Sequence, residues 1–147
     1  MNAANDVRVE LYRSFVEEQR APTPAEIATQ LGLTTTEVTS RLQELAEAHV
    51  IALVPESEAV WLVHPFCALP APFEVVSGER RWDAICIWDA LGILGLVGSD
   101  GSVSTSCPDC DQEMRLEVRG GEVAGPAGAV VHYGVPAARW YEDIGDT

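Results

Sequence analysis

The amino-acid sequence predicts an α+β protein whose first third is helical and whose remainder is β-rich. Two observations carry this. Apolar residues recur at helical spacing between Val7 and Ala46, whereas short alternating runs bounded by glycine turns follow from Phe73 onward. Val7, Leu11, Phe15 and Val16 define the apolar face of a first helix over 7–20, which Ala21-Pro22-Thr23-Pro24 breaks. Thr23 then caps a second helix, with Pro24 at its first position and Glu26 at capping-box spacing, and Gly32 stops it. Thr34, Thr35 and Thr36 offer cap hydroxyls for a third helix whose apolar face is Val38, Leu42, Leu45 and Ala46. Two apolar runs around Pro55-Glu56-Ser57-Glu58 suit a hairpin.

Three helices and a hairpin form the pattern of a winged helix-turn-helix, here assigned to residues 1–63. Residues 64–147 form the second part. A Pro-rich linker from His64 leads to a strand at Phe73–Val76 with a turn at Ser77-Gly78, and a compact apolar segment from Trp82 begins with helical spacing. Strands are expected at Ser102–Ser106, Glu113–Val118 and Ala129–Tyr133, with turns at Gly98–Gly101 and Gly120-Gly121. Pro136 opens a last predicted helix, and the chain stops soon afterwards at Thr147.

The 147 residues carry 23 acidic side chains against nine cations, a formal net charge of −14. Residues 1–63 hold ten acidic and four basic side chains, and the third helix has Arg41 against Glu37, Glu44 and Glu47. Such a field repels phosphate, so neither nucleic acid nor an anionic membrane is an expected partner. The winged-helix part then serves as a scaffold without its usual ligand. All nine cations are arginine, which excludes chemistry that needs a lysine amine. Asp6, Arg8 and Glu10 stand where a secretory apolar core would begin, and Asp89 interrupts the most apolar stretch, Ala84–Val97. A cytoplasmic location is therefore expected, with Cys67, Cys86, Cys107 and Cys110 as reduced thiols.

Cys86 and Asp89 are the first candidates for chemistry. On a helix, residues three apart share a face, and the neighbours Ala84, Ile85, Ile87, Trp88, Ala90 and Leu91 are apolar. A thiol beside a carboxyl in a dry cleft is a nucleophile paired with a proton carrier. The competing explanation for Cys86 is a small core residue; Asp89 is harder to dismiss, because an unpaired carboxylate is rarely left among apolar side chains. Cys107-Pro108-Asp109-Cys110 is a C-x-x-C that can hold a soft metal such as zinc, copper(I) or mercury(II), or cycle as a redox pair. A structural zinc needs four ligands, and only His132 and Cys67 could complete the set by folding together. Otherwise Cys67 is core, and His64 and His132 serve internal hydrogen bonds.

Four segments resemble the alkylmercury lyases (organomercurial lyases). They are P-F-x-A-L-P at Pro65–Pro70, W-x-x-x-C-x-x-D-A-L-G at Trp82–Gly92, V-S-x-x-C at Val103–Cys107 and V-H-Y-x-V-P-A-A-R-W at Val131–Trp140. The resemblance implies a winged-helix-like domain ahead of an alkylmercury-lyase-like core. It implies cleavage of a carbon–mercury bond by protonolysis, giving a hydrocarbon and mercury(II), with no cofactor required. It identifies Cys86 as nucleophile and mercury ligand and Asp89 as proton carrier, also near the metal, and gives Cys107 a structural role. An organomercurial is then the substrate, and a mercuric reductase the partner that accepts the product.

Two departures from that family pattern stand out. Gly128–His132 reads G-A-V-V-H, where the family places a second catalytic cysteine, and Thr147 ends the chain earlier than the pattern implies. Cys107 and Cys110, with Cys67 behind them, are the substitute thiols. The alternative function is a catalytically incomplete homologue that binds a soft metal or acts in regulation.

Overall fold

A computed structural model describes residues 3–144, which divide into two compact units, one up to Leu69 and one from Pro70 onward. The architecture is α+β, as predicted.

The first unit contains α1 (Ala3–Glu18), α2 (Pro24–Leu31) and α3 (Thr35–Glu47). Strands β1 (Ala52–Leu53), β2 (Val60–Val63) and β3 (Phe66–Cys67) follow. The helix boundaries come from local chemistry. The Thr23 hydroxyl accepts from the Glu26 N–H at 3.3 Å while the Glu26 carboxylate accepts from the Thr23 N–H at 2.7 Å. Thr34 and Glu37 repeat this reciprocal cap on α3. Gly32 ends α2 in the left-handed conformation, φ +67°, that glycine adopts without strain. Val7, Leu11, Phe15, Ile27, Val38 and Leu42 are buried together with Leu62, Val63 and Phe66. The Phe15 and Phe66 rings stack at 5.1 Å, and the Tyr12 hydroxyl donates to the His64 carbonyl at 2.7 Å. The expected hairpin is present as antiparallel β1 and β2, but the expected linker is partly ordered, with Leu62 opposite Cys67 and Val63 opposite Phe66.

In the second unit, β4 (Phe73–Ser77), β5 (Arg80–Ala84), α4 (Ile87–Val97), β6 (Gly101–Ser106), β7 (Glu113–Arg119) and β8 (Glu122–Ala124) follow in order. The strands run β5-β4-β6-β7-β8, antiparallel throughout. Val75, Trp82, Ala84 and Val103 are buried on the sheet together with Ala90, Ile93 and Leu94 of α4. Two hydrogen bonds tie the turns to the sheet: the Ser77 hydroxyl donates to the Asp100 carbonyl at 2.8 Å, and the Gly120 N–H donates to the Asp100 carboxylate at 2.8 Å.

Three expectations are corrected. Helical spacing does not start at Trp82: buried Trp82 and Ala84 alternate with Asp83 and the exposed Arg81 in a strand, and the hairpin turn is Gly78-Glu79, closed by the Ser77–Arg80 pair. Ala129–Tyr133 is not a strand. Its apolar run finds no neighbouring ladder, and Gly128 (φ +80°) and Gly134 bracket an exposed, irregular segment. The last helix is a short 3₁₀ stretch, Ala137–Glu142, with no side-chain cap at Pro136.

Candidate active site

Cys86 and Asp89 are brought together, though not in the way their spacing suggested. Cys86 is not inside a helix. Its extended backbone (φ −143°, ψ 167°) makes it the N-cap of α4, and Asp89 is the third helical residue. The Cys86 sulfur accepts from the Asp89 N–H at 3.4 Å and from the Trp88 N–H. In return, the Cys86 thiol donates to the Asp89 carboxylate. C-x-x-D is therefore capping-box spacing with sulfur in the place of the usual hydroxyl, a signal legible in the sequence but read there as mid-helix periodicity.

Burial pushes the Cys86 thiol above its ordinary pKa, and the Asp89 charge and carboxylate hydrogen bond push the same way. The two backbone N–H donors oppose that shift without reversing it. The thiol is thus held protonated at neutral pH, with its proton already directed at a carboxylate. The expected dry setting is only partly present. Ala84 and Ala90 are buried, Cys86, Asp89, Ile85 and Ile87 are half-buried, and Trp88 is 57% exposed. A groove of about 400 Å³ in the first unit, lined by Glu10, Arg13, Arg20 and Glu26 among others, includes neither Cys86 nor Asp89.

Tyr133 is a neighbour that the sequence reading missed. Its phenol is pushed up by desolvation and by the nearby Cys86. Its ring stacks on Trp140 at 5.8 Å, and the Trp140 indole N–H donates to the Val135 carbonyl at 2.9 Å. These contacts fold the Val131–Trp140 segment on itself. The signal available was the segment's aromatic content, which has no place in a strand that forms no ladder.

Cys107 and Cys110 meet in the β6–β7 loop, Cys107 half-buried and Cys110 exposed. The N–H groups of Asp109 and Cys110 and the Cys110 side chain hydrogen-bond the Cys107 sulfur, holding its thiol below the ordinary range. Cys67 is buried in β3 of the first unit, and His132 is exposed in the irregular segment together with Ala129. Among the described residues, no three His, Cys, Asp or Glu side chains are grouped to hold a metal ion. No described helix is long and apolar enough to cross a membrane.

Comparison with known proteins gives one family and one fold. No curated protein matches the sequence. A solved structure of the mercury-bound form of MerB2 matches with a TM-score of 0.63 at 20% identity, over 80% of this chain and 58% of that one. The chain thus spans less than two thirds of that protein, and the likeness speaks for the fold. The sequence model of the alkylmercury lyases matches residues 66–145, which include Cys86, Asp89, Cys107 and the Val131–Trp140 segment. More than half of the sequence lies in that match, and the chain belongs to the alkylmercury lyase family.

Proposed function

We propose that the protein cleaves the carbon–mercury bond of an organomercurial, with Cys86 as the mercury ligand and Asp89 as the proton carrier. The observation that carries this reading is the N-cap contact of α4, in which the Asp89 N–H reaches the Cys86 sulfur at 3.4 Å and sets the Asp89 carboxylate beside the thiol. In water containing thiols, the substrate is R–Hg–SR′. Mercury is soft and takes sulfur in preference to oxygen or nitrogen. As the Cys86 sulfur bonds to mercury, its proton passes to Asp89 along the existing hydrogen bond. The electron pair of the carbon–mercury bond then goes to carbon, which takes the proton from Asp89 and leaves as R–H. Mercury(II) stays between Cys86 and SR′, with no change in oxidation state. Delivering the proton as the bond breaks avoids a free carbanion.

The thiol R′SH supplies the second sulfur that the Gly128–His132 segment does not. Trp88, more than half exposed and two residues from Cys86, provides an apolar surface for the R group. The three helices and hairpin of the first unit serve, in this reading, as a winged-helix scaffold that holds no nucleic acid.

Incubation with phenylmercury and excess small thiol, with benzene measured in the headspace, tests the proposal. Benzene should form in proportion to protein and depend on thiol concentration. No benzene above the Cys86→Ser background would overturn it. Ala129→Cys, which restores a thiol in the Gly128–His132 segment, should lower the thiol concentration needed.

A further inference from the structure

The sheet places the C-x-x-C turn at the same end as Cys86. Phe73 of β4 pairs with Ala84 of β5, the strand that leads into Cys86, and Glu74 pairs with Ser104 of β6, the strand that leads into Cys107. Both thiol-bearing segments leave the sheet at the Phe73 end, from strands separated by β4, with β5 and β6 roughly 10 Å apart. The turn is well defined. The Asp111 N–H donates to the Cys107 carbonyl and the Cys107 N–H donates to the Gln112 carbonyl, both at 2.9 Å. The turn carries two thiols three residues apart, Cys107 half-buried and Cys110 exposed.

We propose that the Cys107–Cys110 turn is a two-sulfur chelate that takes up mercury(II) after it has been liberated at Cys86. Three features select this ligand. Among the described residues no third ligating side chain is grouped with the pair, which suits a soft cation satisfied by two thiolates and not zinc, which needs four ligands. The stretch from Cys107 to Glu113 carries Asp109, Asp111 and, at the start of β7, Glu113, with no cationic side chain, so its field favours a cation. Cys110 is exposed, so incoming metal can reach it first.

The transfer is a thiol exchange. The two S–Hg bonds to Cys86 and SR′ break as two form to Cys107 and Cys110. The protons lost by those two thiols end on the Cys86 thiol and on R′SH. Tethering both sulfurs to one turn gives the second Hg–S bond a high effective concentration, so the chelate outcompetes a free monothiol. The transfer rests on the lyase reading; the chelate itself does not, and the test separates the two.

Reduced protein is given one equivalent of mercury(II) chloride, challenged with excess small monothiol, and observed by native mass spectrometry. In a Cys86→Ser background one mercury should stay on each chain. Adding Cys110→Ser, a change at an exposed turn position, should reduce retention at least tenfold, with Cys107→Ser doing the same. Zinc(II) in place of mercury(II) should not survive a comparable chelator challenge. Equal retention after Cys110→Ser, or one mercury shared between two chains, would overturn the chelate. If mercury is retained but phenylmercury yields no benzene, the lyase reading falls and the chelate stands. If benzene forms and Cys110→Ser leaves mercury retention unchanged, the chelate falls alone.

Discussion

Cys86 and Asp89 are bonded twice: the Asp89 N–H donates to the Cys86 sulfur at 3.4 Å, and the Cys86 thiol donates to the Asp89 carboxylate. The second bond, together with the carboxylate charge, stabilises the protonated thiol. Replacing Asp89 by Asn removes the charge and must lower the Cys86 pKa, while desolvation of the sulfur persists. Alkylation of Cys86 by iodoacetamide, followed by peptide mapping, should therefore show a midpoint at lower pH in Asp89→Asn than in the parent. At a fixed pH of 8 the variant thiol should react faster. A midpoint that does not fall would break the link between the two side chains.

Sulfur is a weak acceptor, and serine, threonine, asparagine and aspartate are the preferred caps. A cap chosen for stability alone would be serine. Cys86→Ser should thus leave the melting temperature equal or higher, within about 1 kcal/mol in stability, while abolishing mercury chemistry at this position. Thermal denaturation followed by circular dichroism checks the first half. A large destabilisation would make the cysteine a packing residue.

Gly101 opens β6 where no side chain fits. A Cβ there would strike the Val76 carbonyl oxygen and come within 2.6 Å of the Leu94 side chain. The carbonyl belongs to the β4 backbone and cannot move aside freely. Gly101→Ala should destabilise the protein by ~1–3 kcal/mol, measured by urea denaturation. Gly95, on the helix α4, has open space and tolerates the same change sterically.

Arg20 and the Thr23 cap hold the Glu26 carboxylate well below its ordinary value, at about 2. A lowered folded-state pKa contributes stability above the unfolded value near 4.5, and that contribution is lost as pH falls toward 2. The melting temperature of the parent should fall more between pH 6 and pH 2.5 than that of Glu26→Gln. Equal falls would remove Glu26 from the acid response.

The helices of the first unit were legible because their start and stop signals are local. Thr23 with Glu26, Thr34 with its N–H partner at Glu37, and Gly32 each act within a few residues. The β-rich unit was less legible because a strand depends on its partner. The apolar segment from Trp82 runs without a break into α4, and its first residues, Trp82 and Ala84, belong to a sheet because β4 lies alongside. Ala129–Tyr133 is apolar and β-branched enough for a strand and forms none, since among the described residues nothing pairs with it. At the candidate site, the residue types and spacing pointed to Cys86 and Asp89, but the cap geometry did not follow from periodicity. Tyr133 was missed because its nearness to Cys86 arises from a segment with no regular structure.

Because Cys86 and Asp89 share the first turn of α4, their mutual reach is fixed by peptide geometry and depends little on distant packing. Outlying strands can be remodelled, or a whole domain exchanged, and the sulfur and carboxylate still arrive as a unit. The proposed reactive element is in that sense portable: a six-residue cassette, Ile85 to Ala90, that any strand-to-helix junction of similar polarity could host.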